Sequence, residues 1–157
     1  MINFFKALLS IFICEVVGLI GSFFTFPAIS GWYAKLNKPS FSPPNWLFGP
    51  VWTLLYAMMG FSAFLIWQAG VEKRGVKNAL FLFTLQLILN FLWSFFFFKL
   101  QSPLSALIVI IFLWLLILAT IMNFYQINKT AGLILIPYLL WVSFASLLNF
   151  SVYYLNR

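Results

Sequence analysis

Residues 32–56 read WYAKLNKPSFSPPNWLFGPVWTLLY and decide the fold of this chain. They place a polar, proline-rich loop between two apolar runs. Proline fixes φ and lacks an amide donor, and it moves the preceding residue out of the helical region. Because Pro39, Pro43 and Pro44 lie close together, we predict a structured, non-helical loop over 27–45. Aromatic side chains at both ends are typical of anchors at a membrane–water boundary, so we expect the loop to be a lid over a ligand entrance.

The composition around this loop is that of an integral membrane protein. The chain is 64% hydrophobic and 7% charged, whereas soluble domains carry about 25% charged residues. Five continuous apolar segments, each near the ~20 residues that a membrane-spanning helix needs, run over 5–26, 46–69, 79–98, 104–124 and 131–155. They lack the alternation of membrane strands. We therefore predict an all-α, five-transmembrane-helix bundle, with residues 1–157 forming one domain and no cleavable leader.

The charged residues indicate a lipid bilayer, and not nucleic acid, as the partner of this chain. The formal net charge is +7, with nine lysines and arginines. They lie in the predicted loops and at helix ends, where basic side chains reach the membrane surface. Because they are divided almost equally between the two sides, they do not predict an orientation.

Several chemistries are excluded by what the sequence lacks. It contains no histidine, and Cys14 is its single cysteine, so histidine catalysis, a disulfide and a cysteine metal cluster are ruled out. The two acidic residues, Glu15 and Glu72, are too few for a carboxylate metal site. We predict no metal and no cofactor, so any chemistry must use aromatic side chains or the ligand itself.

Helical spacing groups polar, small and aromatic residues on single faces of four predicted helices. The four faces are Glu15, Gly18, Ser22 and Thr25; Trp52, Tyr56, Met59 and Ala63; Gln86, Asn90, Trp93 and Phe97; and Tyr138, Trp141, Ala145 and Asn149. Such faces fit either helix packing through small residues and buried amides or the walls of a flat, apolar slot. The fourth helix has no comparable face and is expected to be an outer scaffold.

Glu15 is expected near the middle of the membrane, where a charge is costly. We predict that its side chain points into the bundle. A structural role and a ligand or proton role both remain open from the sequence.

The loop motif resembles the signature of the translocator protein family, also called TspO or the peripheral-type benzodiazepine receptor. The resemblance extends through GLIGSFFT, QLILNFLWSFFFF and IPYLLWVSFASLLNF, and so covers nearly the whole chain. Helix number and motif order agree, and the chain is most similar to bacterial members. Two departures are Phe41, where the family commonly has Trp, and Glu15, where no acidic residue is expected from the family.

The resemblance implies a pocket under the lid that binds protoporphyrin IX, with haem less suited because iron ligands are scarce. It also implies isoquinoline carboxamide or benzodiazepine-type ligands, a homodimer, and a bacterial cell membrane as the location. The ligand-binding residues carried over are Ser22, Tyr33, Pro43, Trp52, Asn90, Trp93, Trp141 and Ala145. The helical faces add Tyr56, Phe97 and Tyr138. Lys35 or Lys38 is expected to meet the porphyrin carboxylates.

Some members of the family are expected to degrade protoporphyrin in light and oxygen. In that case Trp52 and Trp141 are the candidate catalytic residues, as electron donors; otherwise they only stack on the ligand. Two alternatives come from other classes of protein. One is a small proton-coupled multidrug transporter that uses Glu15, and the other is a non-catalytic subunit of a membrane complex.

Overall fold

The computed structural model describes residues 2–157, and the described chain contains helices and connecting turns but no strand. The α-helices, numbered along the chain, are α1 (Ile2–Ser30), α2 (Phe48–Gln68), α3 (Val76–Ser94), α4 (Pro103–Ile127), α5 (Lys129–Ile134) and α6 (Ile136–Leu155). Short 3₁₀ turns over Tyr33–Lys35 and Asn45–Leu47 lie in the first loop, and a π-helical turn over Phe95–Lys99 continues α3.

Five helical stretches are long and apolar enough to cross a membrane, which confirms the predicted fold class. The helices α5 and α6 together form the fifth stretch. Contacts between neighbouring helices give the order α1, α2, α5 with α6, α4 and α3 around the bundle, with α3 returning to α1. The helices α2 and α6 touch only slightly, which leaves space between them.

The helix ends differ from the sequence-based boundaries most clearly at the first loop. Helix α1 continues through Pro27 to Ser30, although the loop was expected from residue 27. A proline removes one helical hydrogen bond, and a membrane helix tolerates that loss when its neighbours compensate. We therefore define the lid as residues 31–47, including both 3₁₀ turns. Helix α2 begins two residues later and ends one residue earlier than predicted. Helix α3 begins three residues earlier and, with its π-helical turn, ends one residue later, and α4 begins one residue earlier and ends three residues later.

The fifth span was predicted as one helix over 131–155, and one apolar helical stretch over Lys129–Leu155 confirms it. The helix begins at Lys129, where the Asn128 side chain caps it by accepting from the Ala131 amide at 3.2 Å. It is then interrupted at Leu135, before Pro137 in the first turn of α6. Pro137 has no amide to donate to the carbonyl one turn before it, which accounts for an interruption at this point.

The half of the bundle away from the lid is closely packed. Gly60 on α2 lies against the backbone of α1, so that a methyl group there would overlap Ile11. The rings of Phe83 and Phe124 stack 5.7 Å apart, and Met59 and Ile66 are completely buried. The helices separate only toward the lid, and that separation creates the candidate site.

Candidate ligand-binding cavity

A cavity of about 290 Å³ lies under the lid, between α1, α2, α3 and α6. Helix α4 contributes none of its lining, as expected for an outer scaffold. The lining on α1 extends from Ile29 to Glu15, a distance of about 20 Å at the helical rise of ~1.5 Å per residue. We call the end at Glu15 and Tyr56 the floor of the cavity. Its rim includes Phe26 and Trp46, both largely exposed.

Aromatic rings from two helices form the wall of this cavity. The Trp52 ring lies 5.7 Å from Tyr56 and 6.4 Å from Trp93, in both cases tilted. Trp93 in turn stacks on Phe97 at 5.5 Å. These distances are within the range at which aromatic rings attract one another. The arrangement presents a continuous apolar surface against which a flat ligand can lie.

Hydrogen bonds fix the orientation of Trp93 in that wall. Its indole nitrogen donates to Asn149 Oδ1 at 3.0 Å. Asn149 Nδ2 donates to the carbonyl of Pro103 at 2.8 Å, which connects α3, α6 and the start of α4. Because side chains with satisfied polar groups in the membrane are held firmly, Trp93 is a preorganised part of the site.

A second network of hydrogen bonds closes the floor. Tyr56 Oη donates to Asn90 Oδ1 at 2.6 Å, Asn90 Nδ2 donates to Tyr138 Oη at 2.8 Å, and Tyr138 Oη donates to Gln86 Oε1 at 2.8 Å. Tyr138 is almost completely buried and lies behind Trp52, outside the cavity lining. Tyr138 was predicted to contact a ligand; it does not line the cavity, and such a contact stays a prediction. Tyr138 shares a helical face with Trp141, as predicted, but lies one turn farther from the lid. Its hydroxyl is engaged in the hydrogen-bond network.

The lid is attached to the bundle at both of its sides. Tyr33 is buried against Phe97 and Phe98, and this burial raises the pKa of its hydroxyl. At the other side, Asn37 pairs through its backbone with the Asn156 side chain, which accepts from the Asn37 amide and donates to its carbonyl, both at 2.9 Å. The lid is thus an ordered cover.

Two lid residues are placed differently from the sequence-based expectation. Pro43 does not line the cavity, because its stretch of the lid runs toward α6, where Phe41 packs on Phe144. Lys38 does not line it either. Its ammonium donates to the Tyr33 carbonyl at 2.9 Å and lies 4.7 Å from the centre of the Tyr33 ring. Lys38 therefore holds the lid, and Lys35 remains the candidate for meeting an anionic group.

A few polar groups of the lining have no partner within residues 2–157. The Trp141 indole nitrogen is buried and makes no hydrogen bond there. Neither the Glu15 carboxylate nor the Ser94 hydroxyl, both in the lining, makes a hydrogen bond within the described chain. Glu15 is in no ion pair there either, since the ion pair found joins Lys77 to Glu72. Other polar side chains of the wall are occupied; Thr25, for example, donates to the Gly21 carbonyl. The Glu15 carboxylate and the Ser94 hydroxyl are thus among the polar groups that a ligand could meet.

The cavity brings together nine of the eleven predicted ligand residues: Ser22, Tyr33, Trp52, Tyr56, Asn90, Trp93, Phe97, Trp141 and Ala145. Their contact with a ligand stays a prediction. Sequence reasoning missed the rim residues Phe26, Ile29, Trp46 and Phe48. Phe26 and Ile29 lie near the end of α1, Trp46 lies in the second 3₁₀ turn of the lid, and Phe48 begins α2. The aromatic residues that flank the lid in the sequence could have identified these rim residues.

Comparison with known proteins identifies the family of this chain. The sequence profile of the TspO/MBR family matches residues 10–155. The chain belongs to the TspO/MBR family. It is 48% identical to the tryptophan-rich protein TspO of Archaeoglobus fulgidus over 98% of this chain and 99% of that one. It is 47% identical to the tryptophan-rich protein TspO of Chlorobaculum tepidum over 94% of each chain.

More distant family members align over most of the chain as well. The human translocator protein is 38% identical over 85% of this chain and 80% of the human one. Family membership and the five apolar helices together establish a multi-pass integral membrane protein.

Proposed function

We propose that this protein is a membrane receptor or sensor that binds porphyrins, above all protoporphyrin IX, in the cavity under the lid. The observation that carries the proposal is the membrane-depth cavity walled by Trp52, Trp93 and Trp141. A sensory role is suggested by the name of a relative from Cereibacter sphaeroides, the tryptophan-rich sensory protein, which is 38% identical over 80% of this chain.

The shape of the cavity suits a flat, apolar ligand. Its volume of about 290 Å³ lies near the lower end of the ~300–1,000 Å³ range of small-molecule sites. The exposed rim at Phe26 and Trp46 leaves room for a larger plate to project outward. The tilted indoles of Trp52 and Trp93 offer a stacking surface to a tetrapyrrole ring, in the geometry that aromatic pairs favour.

The two carboxylates of a porphyrin can also be accommodated at the rim of the cavity. Its two carboxylates would project past the rim toward water, where Lys35 is exposed and can form a charge-assisted hydrogen bond. The apolar plate would remain between the helices. Isoquinoline carboxamides and benzodiazepines share a flat aromatic body, which the same wall of indole rings suits.

The metal-free porphyrin is favoured over haem. Residues 2–157 hold no group of three histidine, cysteine or acidic side chains. The thiol of Cys14 is buried and lies outside the cavity lining. An iron porphyrin would therefore lack a histidine or cysteine axial ligand in this pocket.

Light- and oxygen-dependent degradation of the bound porphyrin is the catalytic form of this proposal. An indole beside a light-excited porphyrin can donate an electron, with dioxygen as the final oxidant. Trp52 and Trp141 both line the cavity. Trp52 adjoins Tyr56 and Trp93, so an oxidised Trp52 has electron-rich neighbours. If no turnover occurs, the same two residues act in stacking alone.

Titration of protoporphyrin IX into the purified protein tests the proposal. Binding is followed by porphyrin absorbance, in the dark and under illumination with dioxygen, for wild type, Trp52→Phe and Trp141→Phe. The matched control is Trp114→Phe, because Trp114 bonds Ser143 outside the cavity. We expect saturable binding in the dark. Loss of porphyrin absorbance in the light that only the cavity variants abolish supports degradation, and absence of saturable binding overturns the receptor proposal.

A proton-coupled transporter using Glu15 is supported by one observation, the position of Glu15 in the cavity lining. The closely packed half of the bundle away from the lid argues against a transporter. Alternating access needs a path to both sides of the membrane, but Met59 and Ile66 are fully buried in that half. A subunit of a larger complex predicts no small-molecule affinity in the titration. We also propose a homodimer, which chemical cross-linking in membranes tests.

A further inference from the structure

The floor of the cavity is chemically different from its rim and wall. Glu15 lies one turn before Gly18 on α1, and the Tyr56 ring packs so closely on Gly18 that a methyl group there would overlap it. The carboxylate of Glu15 and the phenol of Tyr56 therefore share the inner end of the cavity. Near the middle of a ~30 Å membrane core, an ionisable side chain marks a functional site by default.

The hydrogen-bond network below the floor has a direction. Tyr56 donates its proton to Asn90, Asn90 donates to Tyr138, and Tyr138 donates to Gln86. Every donor points away from the cavity. The Tyr56 oxygen consequently has only lone pairs to offer to a ligand, and Asn90 is occupied through both its oxygen and its nitrogen.

The floor therefore presents acceptors of hydrogen bonds and no compensating positive charge. None of the nine lysines and arginines of the chain lines the cavity. The aromatic rings just above, those of Trp52 and Trp93, are tilted by 31° to one another. The faces of such rings attract a cation within about 6 Å of their centres, and do so more strongly where water is excluded.

We propose that the floor is a subsite for a protonated amine, held by the Glu15 carboxylate and the Tyr56 oxygen against the rings of Trp52 and Trp93. This inference rests on the proposed function, in that the cavity is taken as a ligand site, and it adds a preference in ligand charge. A porphyrin or a neutral aromatic compound fills the apolar wall, and an aromatic amine additionally pairs with Glu15. An ammonium group supplies both the charge and the donors that the floor lacks.

Two probes of nearly equal size and shape test the preference. The cationic probe is 9-anthracenylmethylammonium and the neutral one is 9-anthracenemethanol, each titrated at neutral pH into protein in an uncharged detergent. Partition into empty micelles is subtracted. We expect wild type to bind the ammonium probe at least tenfold more tightly than the alcohol. Equal affinities in wild type overturn the proposal, whatever the outcome with porphyrin.

Glu15→Gln and Glu72→Gln form a matched pair of variants, because they remove the two acidic side chains of the chain one at a time. Glu72 is exposed and paired with Lys77 at 3.7 Å, outside the cavity. We expect Glu15→Gln to abolish the charge preference while its affinity for the alcohol stays within twofold of wild type. Glu72→Gln should keep the preference. A preference that survives in Glu15→Gln contradicts the subsite.

Infrared difference spectra give a second readout on wild type that does not depend on the variants. Binding of the ammonium probe should change a carboxyl or carboxylate band, and the alcohol should not. Absence of such a change on saturation with the ammonium probe argues against contact with Glu15. Porphyrin binding measured in the same preparation separates the two proposals: binding without charge preference leaves the receptor proposal standing and removes only the amine subsite.

Discussion

The two halves of this bundle use the same helices and nearly the same residue types, but only one half contains a cavity. In the closed half, Phe83 stacks on Phe124 and Gly60 brings α1 against α2. In the lid half, Trp52, Trp93 and Trp141 line a cavity and α2 stands apart from α6. An aromatic stripe is therefore packing where helices converge and a binding surface where they separate. The layer of Tyr56, Asn90 and Tyr138 divides the two halves.

The closed half should respond most strongly to added volume. Gly60→Ala places a methyl group on the backbone of Ile11, which cannot move without separating α1 from α2. We expect the free energy of unfolding to fall by about 3 kcal/mol, at the upper end of typical overpacking costs. Unfolding by sodium dodecyl sulfate in mixed micelles, followed by circular dichroism, measures the change.

Gly49→Ala in the lid half is the control for that experiment. A methyl group on Gly49 meets no atom within 4 Å. Its higher helix propensity should leave stability unchanged or raise it by up to about 1 kcal/mol. Equal destabilisation by both variants would show that the halves do not differ in packing.

Substitutions in the layer between the halves should have the next largest effect on stability. Asn90→Leu removes the bonds to Tyr56 and Tyr138, which are 2.6 and 2.8 Å long. We expect a loss of about 1–2 kcal/mol, since hydrogen bonds within membranes contribute modestly and the Tyr56 hydroxyl loses its acceptor. Asn123→Leu is the control, because Asn123 bonds only the Ala119 carbonyl of its own helix and, at 3.4 Å, the exposed Asn78. Equal losses in the two variants would contradict a special role of the layer.

Features of each half could be predicted from the sequence where they depend on local patterns of residues. Helix number, type and the lid follow from apolar runs, prolines and flanking aromatics, and the walls follow from helical spacing. Spacing does not reveal how far helices separate, so Tyr138 and Trp141 look alike in the sequence although one is covered by the network and the other lines the cavity. The prediction ended the first helix at residue 26, whereas α1 continues through Pro27 to Ser30.

The attachment of the lid should give the smallest effect on stability. Asn156→Ala removes the two bonds that the Asn156 side chain makes to the Asn37 backbone. These bonds are exposed, so we expect a loss of only about 0.5–1 kcal/mol. Faster hydrogen exchange at the Asn37 amide and a few-fold faster ligand dissociation should accompany it. Asn37→Ala keeps both backbone bonds and should behave like wild type; if it matches Asn156→Ala, the lid is held in another way.

The most direct test of the central claim fills the cavity and measures porphyrin binding. Ala145 lies on the cavity wall, and Leu147, on the same helix, is exposed on the outside of the bundle. Dissociation constants for protoporphyrin IX are compared for wild type, Ala145→Phe and Leu147→Phe. We expect Ala145→Phe to weaken binding at least a hundredfold and Leu147→Phe to bind like wild type. Wild-type affinity in a correctly folded Ala145→Phe protein would place the ligand outside this cavity and contradict the account.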